Sequence, residues 1–283
     1  MNNKILVTGG LGFIGSHTVT MMINQGYDPI IIDNLSNSDE NVLTRIFDIT
    51  EKKPIFYKED IRDHKALKRI FQSHQFSAVI HFAGLKSVNE SVKHPQIYHD
   101  NNVNGSKNLF KVMQEYKVNN LIFSSSATVY GEPKYLPVDE AHELSSINPY
   151  AESKLLIEKE GKKNCISNPN FTCFALRYFN PIGAHPSALI GENPSGIPNN
   201  LMPFLCQVAS GMREKLSIFG SDYKTIDGTA VRDYVHVMDL ASGHLSALKA
   251  CKNNNGFIAI NLGTGAGCSV LELLKSFERV NNI

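Results

Sequence analysis

Val7-Thr8-Gly9-Gly10-Leu11-Gly12-Phe13-Ile14-Gly15 stands where a β-branched run, Lys4 to Thr8, gives way to a segment of helical period, and its reading decides the fold. The string satisfies both T-G-x-x-G-x-x-G and G-x-G-x-x-G. Glycines at Gly9, Gly12 and Gly15 permit a tight turn, let the main chain approach a diphosphate, and aim the first N–H groups of a helix at the anion. By itself such a string reads equally well as a structural turn; the strand before it and the helix after it favour a phosphate cradle. That helix is expected from about Gly12 to Asn24, closed by Gly26 in the left-handed conformation.

Eighteen residues beyond Gly15 comes Asp33, close to the roughly 20-residue interval of the carboxylate that accepts from the adenosine ribose hydroxyls. An acid there repels a 2′-phosphate, and Asp33-Asn34-Leu35-Ser36-Asn37-Ser38 carries no arginine to receive one, so the pattern favours NAD over NADP. Asp60-Ile61 follows the expected strand Ile55–Lys58 and stays open between an adenine contact and an ordinary turn.

Short apolar runs continue outward at helix-sized intervals: Pro29–Asp33, Ala78–Phe82, Asn120–Ser125 and Phe171–Tyr178. The alternation predicts an α/β fold, a Rossmann-type doubly wound parallel sheet with ligands beyond the strand carboxyl ends. Residues 1–179 are read as the dinucleotide-binding domain. From Asn180 the texture changes, with Pro181, Gly183, Pro186, Gly191, Pro194, Gly196 and Pro198 in one stretch, and a second irregular stretch runs from Phe219 to Val231. Residues 180–283 are therefore expected to form a smaller substrate lobe, with helices near Val237–Lys249 and Ser269–Val280 and the chain crossing back to the first domain.

Composition narrows the function classes. Twenty-eight Lys and Arg against twenty-seven Asp and Glu leave a formal charge of +1, with no basic excess for nucleic acid or an anionic membrane. Five cysteines, none in a C-x-x-C pair, point away from a disulfide framework and towards the reducing cytoplasm. No apolar stretch approaches the roughly 18 to 20 residues of a membrane span. Among ten histidines no pair has H-x-x-x-H spacing, and no metal role is assigned.

Two further stretches carry chemistry. Tyr150-Ala151-Glu152-Ser153-Lys154 puts a phenol and an ammonium four residues apart, on one face of a helix opened by Pro149. Positive charge favours phenolate, so Lys154 and an oxidised nicotinamide would make Tyr150 a base for a sugar hydroxyl. Alone, Y-x-x-x-K is more often a surface tyrosine beside a solvated lysine; the cradle upstream changes the balance. Ser124-Ser125-Ser126-Ala127-Thr128 follows a strand, which places its hydroxyls at the carboxyl edge of the sheet.

These stretches, with Val79-Ile80-His81-Phe82-Ala83-Gly84-Leu85-Lys86, Asp100-Asn101-Asn102-Val103-Asn104-Gly105, Arg177-Tyr178-Phe179-Asn180-Pro181, Ile197-Pro198-Asn199-Asn200-Leu201-Met202-Pro203 and Val231-Arg232-Asp233-Tyr234, resemble the sugar-nucleotide epimerases of the extended short-chain dehydrogenase/reductase family along nearly the whole chain. The resemblance implies an enzyme that keeps NAD tightly bound and inverts C4 of a UDP-hexose, UDP-galactose to UDP-glucose and back. By that resemblance Tyr150 takes the 4-hydroxyl proton, Ser126 is its hydroxyl partner, and Lys154 holds the nicotinamide ribose. Gly9, Gly12, Phe13, Ile14, Gly15, the Asp33 to Ser38 segment, Asp60, Ile61, the Phe82 to Lys86 segment, Asn101 and Phe179 are implied for NAD. Asn180, Asn200, Leu201, Ser217, Ile218, Phe219 and Arg232 are implied for UDP-hexose, a planar guanidinium suiting a diphosphate; an ion pair of Arg232 with Asp233 is the plainer reading.

The resemblance also implies a homodimer through helices near Pro95–Tyr116 and Tyr150–Lys162. Ala151 and Glu152 depart from the family's usual residues without touching the catalytic face. Family members continue for several tens of residues past the position of Ile283, so the lobe is expected to be incomplete and the chain a fragment. Two other readings stay open: a related enzyme such as a dehydratase, which would carry a Thr-Asp-Glu set at Ser124-Ser125-Ser126, and an NAD-binding remnant without turnover.

Overall fold

The computed structural model describes residues 3–194 and 196–283. Its first half alternates strand and helix: β1 (Lys4–Thr8), α1 (Phe13–Asn24), β2 (Asp28–Asp33), α2 (Val42–Thr50), β3 (Ile55–Lys58), α3 (His64–Ser73), β4 (Ala78–His81), α4 (Val88–Lys93), α5 (Pro95–Tyr98), α6 (Gly105–Glu115), β5 (Asn120–Ser126), α7 (Pro149–Ser167) and β6 (Thr172–Tyr178). The remainder comprises β7 (Asn180–Ile182), α8 (Leu201–Ala209), β8 (Val231–Arg232), β9 (Tyr234–His236), α9 (Val237–Ala250), β10 (Gly256–Leu262), β11 (Cys268–Ser269) and α10 (Val270–Asn281).

Seven parallel strands form one sheet in the order β10-β6-β5-β4-β1-β2-β3. Alternation along each strand explains why both faces are covered. On β1, Ile5 and Val7 turn to a layer holding Val19 and Met22 of α1 and Leu240, Leu245 and Leu248 of α9. Leu6 turns to the opposite layer, with Leu67 and Ile70 of α3, Leu109 and Met113 of α6 and Ile157 of α7. The strand order reverses between β1 and β4, and the crevice outside that switch point receives the ligand in folds of this kind. The fold is the doubly wound parallel sheet expected.

Residues 180–283 divide between the main sheet and a smaller group of elements standing off it. Helix α9, placed with the lobe above, packs on the main sheet, and the unread strand Gly256–Leu262 pairs with β6 over its whole length. Its segment Phe257-Ile258-Ala259-Ile260 is half-buried, as suits an edge strand, and lacks the sustained β-branched texture of the central strands. What stands off the sheet is smaller: β7 paired with β9, β8 paired with β11, α8, α10 and the loops between them. Helix α10 is entered through a capping box, Ser269 and Glu272 bonding each other's backbone.

The single helix expected over Pro95–Tyr116 is interrupted. Between α5 and α6, His99–Asn104 winds as a wide π-turn, a device that redirects side chains within a helix. There Asn102 accepts from Leu85 N–H at 2.8 Å and donates to Leu85 carbonyl at 3.0 Å, tying the helix to the loop after β4.

Candidate active site

The turn from β1 into α1 closes against its neighbours because it lacks side chains. Gly9 (φ +69°) donates to Ile32 carbonyl at 2.7 Å, and a Cβ on it would lie 2.6 Å from Ala83 N. A Cβ on Gly15 would lie 2.2 Å from Gly9 carbonyl oxygen. Gly12 is the N-cap of α1 and offers no side-chain acceptor, and the first turn holds no acid. The positive end of α1 and its first N–H groups thus face the cleft for an anion to occupy, which is the fit a dinucleotide's diphosphate needs.

Asp33 ends β2 beside that turn. Its Oδ2 accepts from Leu11 N–H at 3.1 Å, and its Oδ1 from Leu35 N–H at 3.0 Å and Ser38 hydroxyl at 2.8 Å. The carboxylate is held at the cleft wall and keeps lone pairs for further donors. Arg45 of α2 lines the same cleft from beyond the Asp33–Ser38 segment, ion-paired to Asp48 at 3.5 Å. Of the open pair, Ile61 lines the cleft. Asp60 braces it from behind: Asn34 Nδ2 donates to it at 2.9 Å, and Arg62 grips it at 3.0 and 2.8 Å and holds its carboxyl down to about 2.

Across the cleft, α7 begins at Pro149 with Asn148 Oδ1 capping Ala151 N–H at 2.9 Å. Tyr150 and Lys154 follow one turn apart. Lys154 is buried, and its ammonium donates to Ser124 carbonyl at 2.7 Å while lying 5.8 Å from the centre of the Tyr150 ring. Tyr150 hydrogen-bonds with Ser126, whose Oγ also accepts from Thr128 N–H at 3.2 Å and Thr128 hydroxyl at 2.9 Å. Burial pushes the Tyr150 phenol up, partly offset by Ser126; burial pushes Lys154 down to about 8, opposed by Glu158. Below that value Lys154 carries its charge, and the phenolate awaits further positive charge in the cleft.

Phe13, Ile14, Asn34, Ser36, Asn37, Phe82, Ala83, Gly84, Lys86, Asn101 and Phe179 line one cleft of about 540 Å³ with Ser126, Tyr150, Lys154, Asn180 and Asn200. Leu35, at φ +60°, turns against the core, and Leu85 is tied back to Asn102. Leu201, Ser217, Ile218, Phe219 and Arg232 are not brought to the cleft wall. Phe219 is 86% exposed, and Arg232 is exposed with Nη1 on its neighbour's carbonyl at 2.7 Å. Asp233, the plainer partner for that arginine, instead accepts from Thr264 and Gly265 N–H.

Sequence reasoning passed over Glu192. Its Oε1 accepts from Lys86 Nζ at 2.9 Å and Asn200 Nδ2 at 2.7 Å, and its Oε2 is buried with no partner among the described residues. Its only local signal is an acid inside a Gly- and Pro-rich stretch. Tyr178, whose hydroxyl meets both Ser124 and His244, lies in a strand and in the Arg177–Pro181 stretch quoted above, where it was given no role of its own.

Residues 5–263 match the model of the NAD dependent epimerase/dehydratase family. A UDP-glucose 4-epimerase of Yersinia enterocolitica is 53% identical over 278 residues, 98% of this chain and 82% of that protein. One from Dictyostelium discoideum is 50% identical over 283 residues, all of this chain and 82% of that protein. Among solved structures, the UDP-glucose 4-epimerase of Bifidobacterium longum in complex with NAD+ and UDP superposes with a TM-score of 0.96 at 46% identity, covering 99% of this chain and 83% of that one. The enzyme from Stenotrophomonas maltophila with bound NAD and formylated UDP-arabinopyranose gives a TM-score of 0.96 at 47% identity, covering 99% and 83%.

Proposed function

The chain belongs to the NAD dependent epimerase/dehydratase family, and on that footing we propose that it interconverts UDP-galactose and UDP-glucose by inverting the hydroxyl at sugar C4, with NAD as its cofactor. The observation that carries the reading is the meeting, in one cleft, of the open α1 terminus with the Ser126–Tyr150–Lys154 cluster. Bound there, NAD supplies the acceptor for a hydride from C4 and the donor that returns it.

The chain's own residues handle binding and protons. The α1 terminus and Asp33 hold the dinucleotide's diphosphate and adenosine ribose. Lys154 sits where an ammonium holds the nicotinamide ribose and lowers the Tyr150 pKa. Tyr150, as phenolate, takes the 4-hydroxyl proton and gives it back at the end of the turnover, so the protein finishes unchanged; Ser126 keeps its oxygen in place. Inversion requires that both faces of C4 be presented in turn to one side of the cleft. The hexose must therefore be held loosely, by Asn180 and Asn200, while the uridine diphosphate is held firmly. We assign that firm grip to Leu201, Ser217, Ile218, Phe219 and Arg232, on the segments beyond the cleft wall, and treat the elements off the main sheet as the substrate lobe.

Against a dehydratase stands the Ser124-Ser125-Ser126 edge: Ser124 offers its carbonyl to Lys154, Ser125 turns to Glu158, and none is an acid. The helical stretch Pro95–Tyr116, with Ile97 more than half exposed, is proposed with α7 as a homodimer contact, which the mass in solution tests. No helix among the described residues is long and apolar enough to cross a membrane, and the free thiols suit the reducing cytoplasm.

The test is conversion of UDP-galactose to UDP-glucose by the purified chain without added NAD, with bound dinucleotide released and quantified in parallel. Turnover with resident NAD is the expected result. Bound NAD without turnover would identify a remnant that has kept the cofactor site alone.

A further inference from the structure

Behind the catalytic cluster lies a charge pair that the chemistry above does not use. Arg177 on β6 grips Glu158 on α7 with a fork, Nε to Oε1 at 3.0 Å and Nη2 to Oε2 at 2.6 Å, and each side chain is 3% exposed. Further bonds extend the pair: Ser125 Oγ donates to Glu158 Oε1 at 2.5 Å, and Arg177 Nη1 donates to the Tyr130 hydroxyl at 2.9 Å, which in turn donates to Asn261 Oδ1 of β10 at 2.6 Å.

The placement relative to the active site is regular. Tyr150, Lys154 and Glu158 stand four residues apart on one face of α7, opposite three successive serines of β5. Ser126 meets Tyr150, Ser124 carbonyl meets Lys154, and Ser125 meets Glu158. A buried ion pair is a weak device for stability, because desolvating two charges offsets most of their attraction. Its cost calls for another use.

We propose that Glu158, held by Arg177 and Ser125, is a positioning residue that keeps Lys154 charged and in register with Tyr150. The proposal rests on the epimerase reading only for the meaning of turnover. The groups facing Lys154 bear it out. Buried neutral His81 on β4 and Tyr178 on β6 bring no negative charge at neutral pH, and Tyr150 on its own helix bears one only as the phenolate of the turnover, which leaves Glu158 as the standing anion among these neighbours. Deprived of it, the buried ammonium gives up its proton more readily, and the phenolate it supports is lost with it.

Glu158→Gln alone strands a buried guanidinium and can fail by unfolding. The informative protein is Glu158→Gln combined with Arg177→Met, which removes both charges and keeps the volume. Tyr150 ionisation is followed by ultraviolet difference titration against the same background carrying Tyr150→Phe, and the pH profile of turnover is followed in parallel. The expected result is a folded protein with its Tyr150 titration and the acid limb of its profile moved up by about one pH unit, a roughly tenfold loss of activity below the limb. Glu158→Asp, which keeps the charge, should recover most of the shift. A double variant whose Tyr150 titration superposes on the parent's would reduce the pair to a staple and overturn the proposal. Absence of turnover in the parent would count against the epimerase reading alone, since the titration needs none.

Discussion

Lys86 Nζ lies 2.9 Å from Glu192 Oε1, joining the loop after β4 to a stretch of chain a hundred residues further on. The same Glu192 oxygen receives Asn200 Nδ2 at 2.7 Å, so one carboxylate ties the proposed cofactor side of the cleft to its proposed substrate side. Lys86 is half-exposed, which limits the pair to about 1 kcal/mol. Glu192→Ala should loosen the stretch carrying Asn200, raising KM for UDP-galactose about fivefold while leaving resident NAD in place. Steady-state kinetics beside cofactor release checks both halves; loss of NAD with KM unchanged would contradict the bridge.

Tyr150→Phe removes the proposed proton acceptor and little else. Turnover should fall by about 10³-fold or more, with NAD still bound. In the parent, burial raises the phenol's pKa, and the proposed active form is the phenolate, so kcat should climb with pH until Tyr150 is ionised. A variant retaining most activity, or a parent rate that falls across the same range, removes Tyr150 from the mechanism.

Gly15→Ala probes the cradle. Its Cβ would sit 2.2 Å from Gly9 carbonyl oxygen, so the β1–α1 turn must move. A loss of about 1 to 3 kcal/mol in urea unfolding is expected, with NAD no longer co-purifying. Gly26→Ala is the contrast: no described residue lies within 4 Å of the added carbon, and only the strain of φ +81° remains, far from the cofactor.

Acid should unfold this protein through its buried histidines. Burial pushes His81 down to about 3 and His17 and His244 down to about 4, each against an ordinary value of 6.5. Between those limits the unfolded chain binds protons that the folded one refuses, so stability rises with pH across the window and is lost as pH falls from 6.5 towards 3. Each fully shifted site contributes at most about 1.4 kcal/mol per pH unit. Urea midpoints measured at pH 4.5 and 7 should differ strongly, and less so in His81→Gln. His81 is neutral where Thr8 Oγ1 and Ser106 Oγ hold its ring nitrogens at 2.7 and 2.8 Å.

The strands of the sheet's centre were legible because burial on both faces demands unbroken apolar runs, as in Leu6-Val7 and Ile30-Ile31-Ile32. The cradle and the Tyr150–Lys154 pair were legible for a different reason: each is a short-range pattern whose geometry is set by one turn of chain. Strand β10 does carry a short apolar run, Phe257-Ile258-Ala259-Ile260, but nothing local says that it pairs with β6 about eighty residues earlier, and no residue preference marks the π-turn at His99–Asn104.

The chain's own order of residues thus determined the parallel sheet, and it pointed to the proposed cofactor cradle and the proposed Tyr150–Lys154 pair, all of which rest on local spacing. Only the tertiary structure decided that Glu192 meets Lys86, that Arg45 reaches the cleft and that Glu158 and Arg177 share a buried fork behind Lys154. These are contacts between residues 19 to 106 positions apart or between a helix and a distant wall, and their partners are chosen by how the layers pack, which no local pattern encodes.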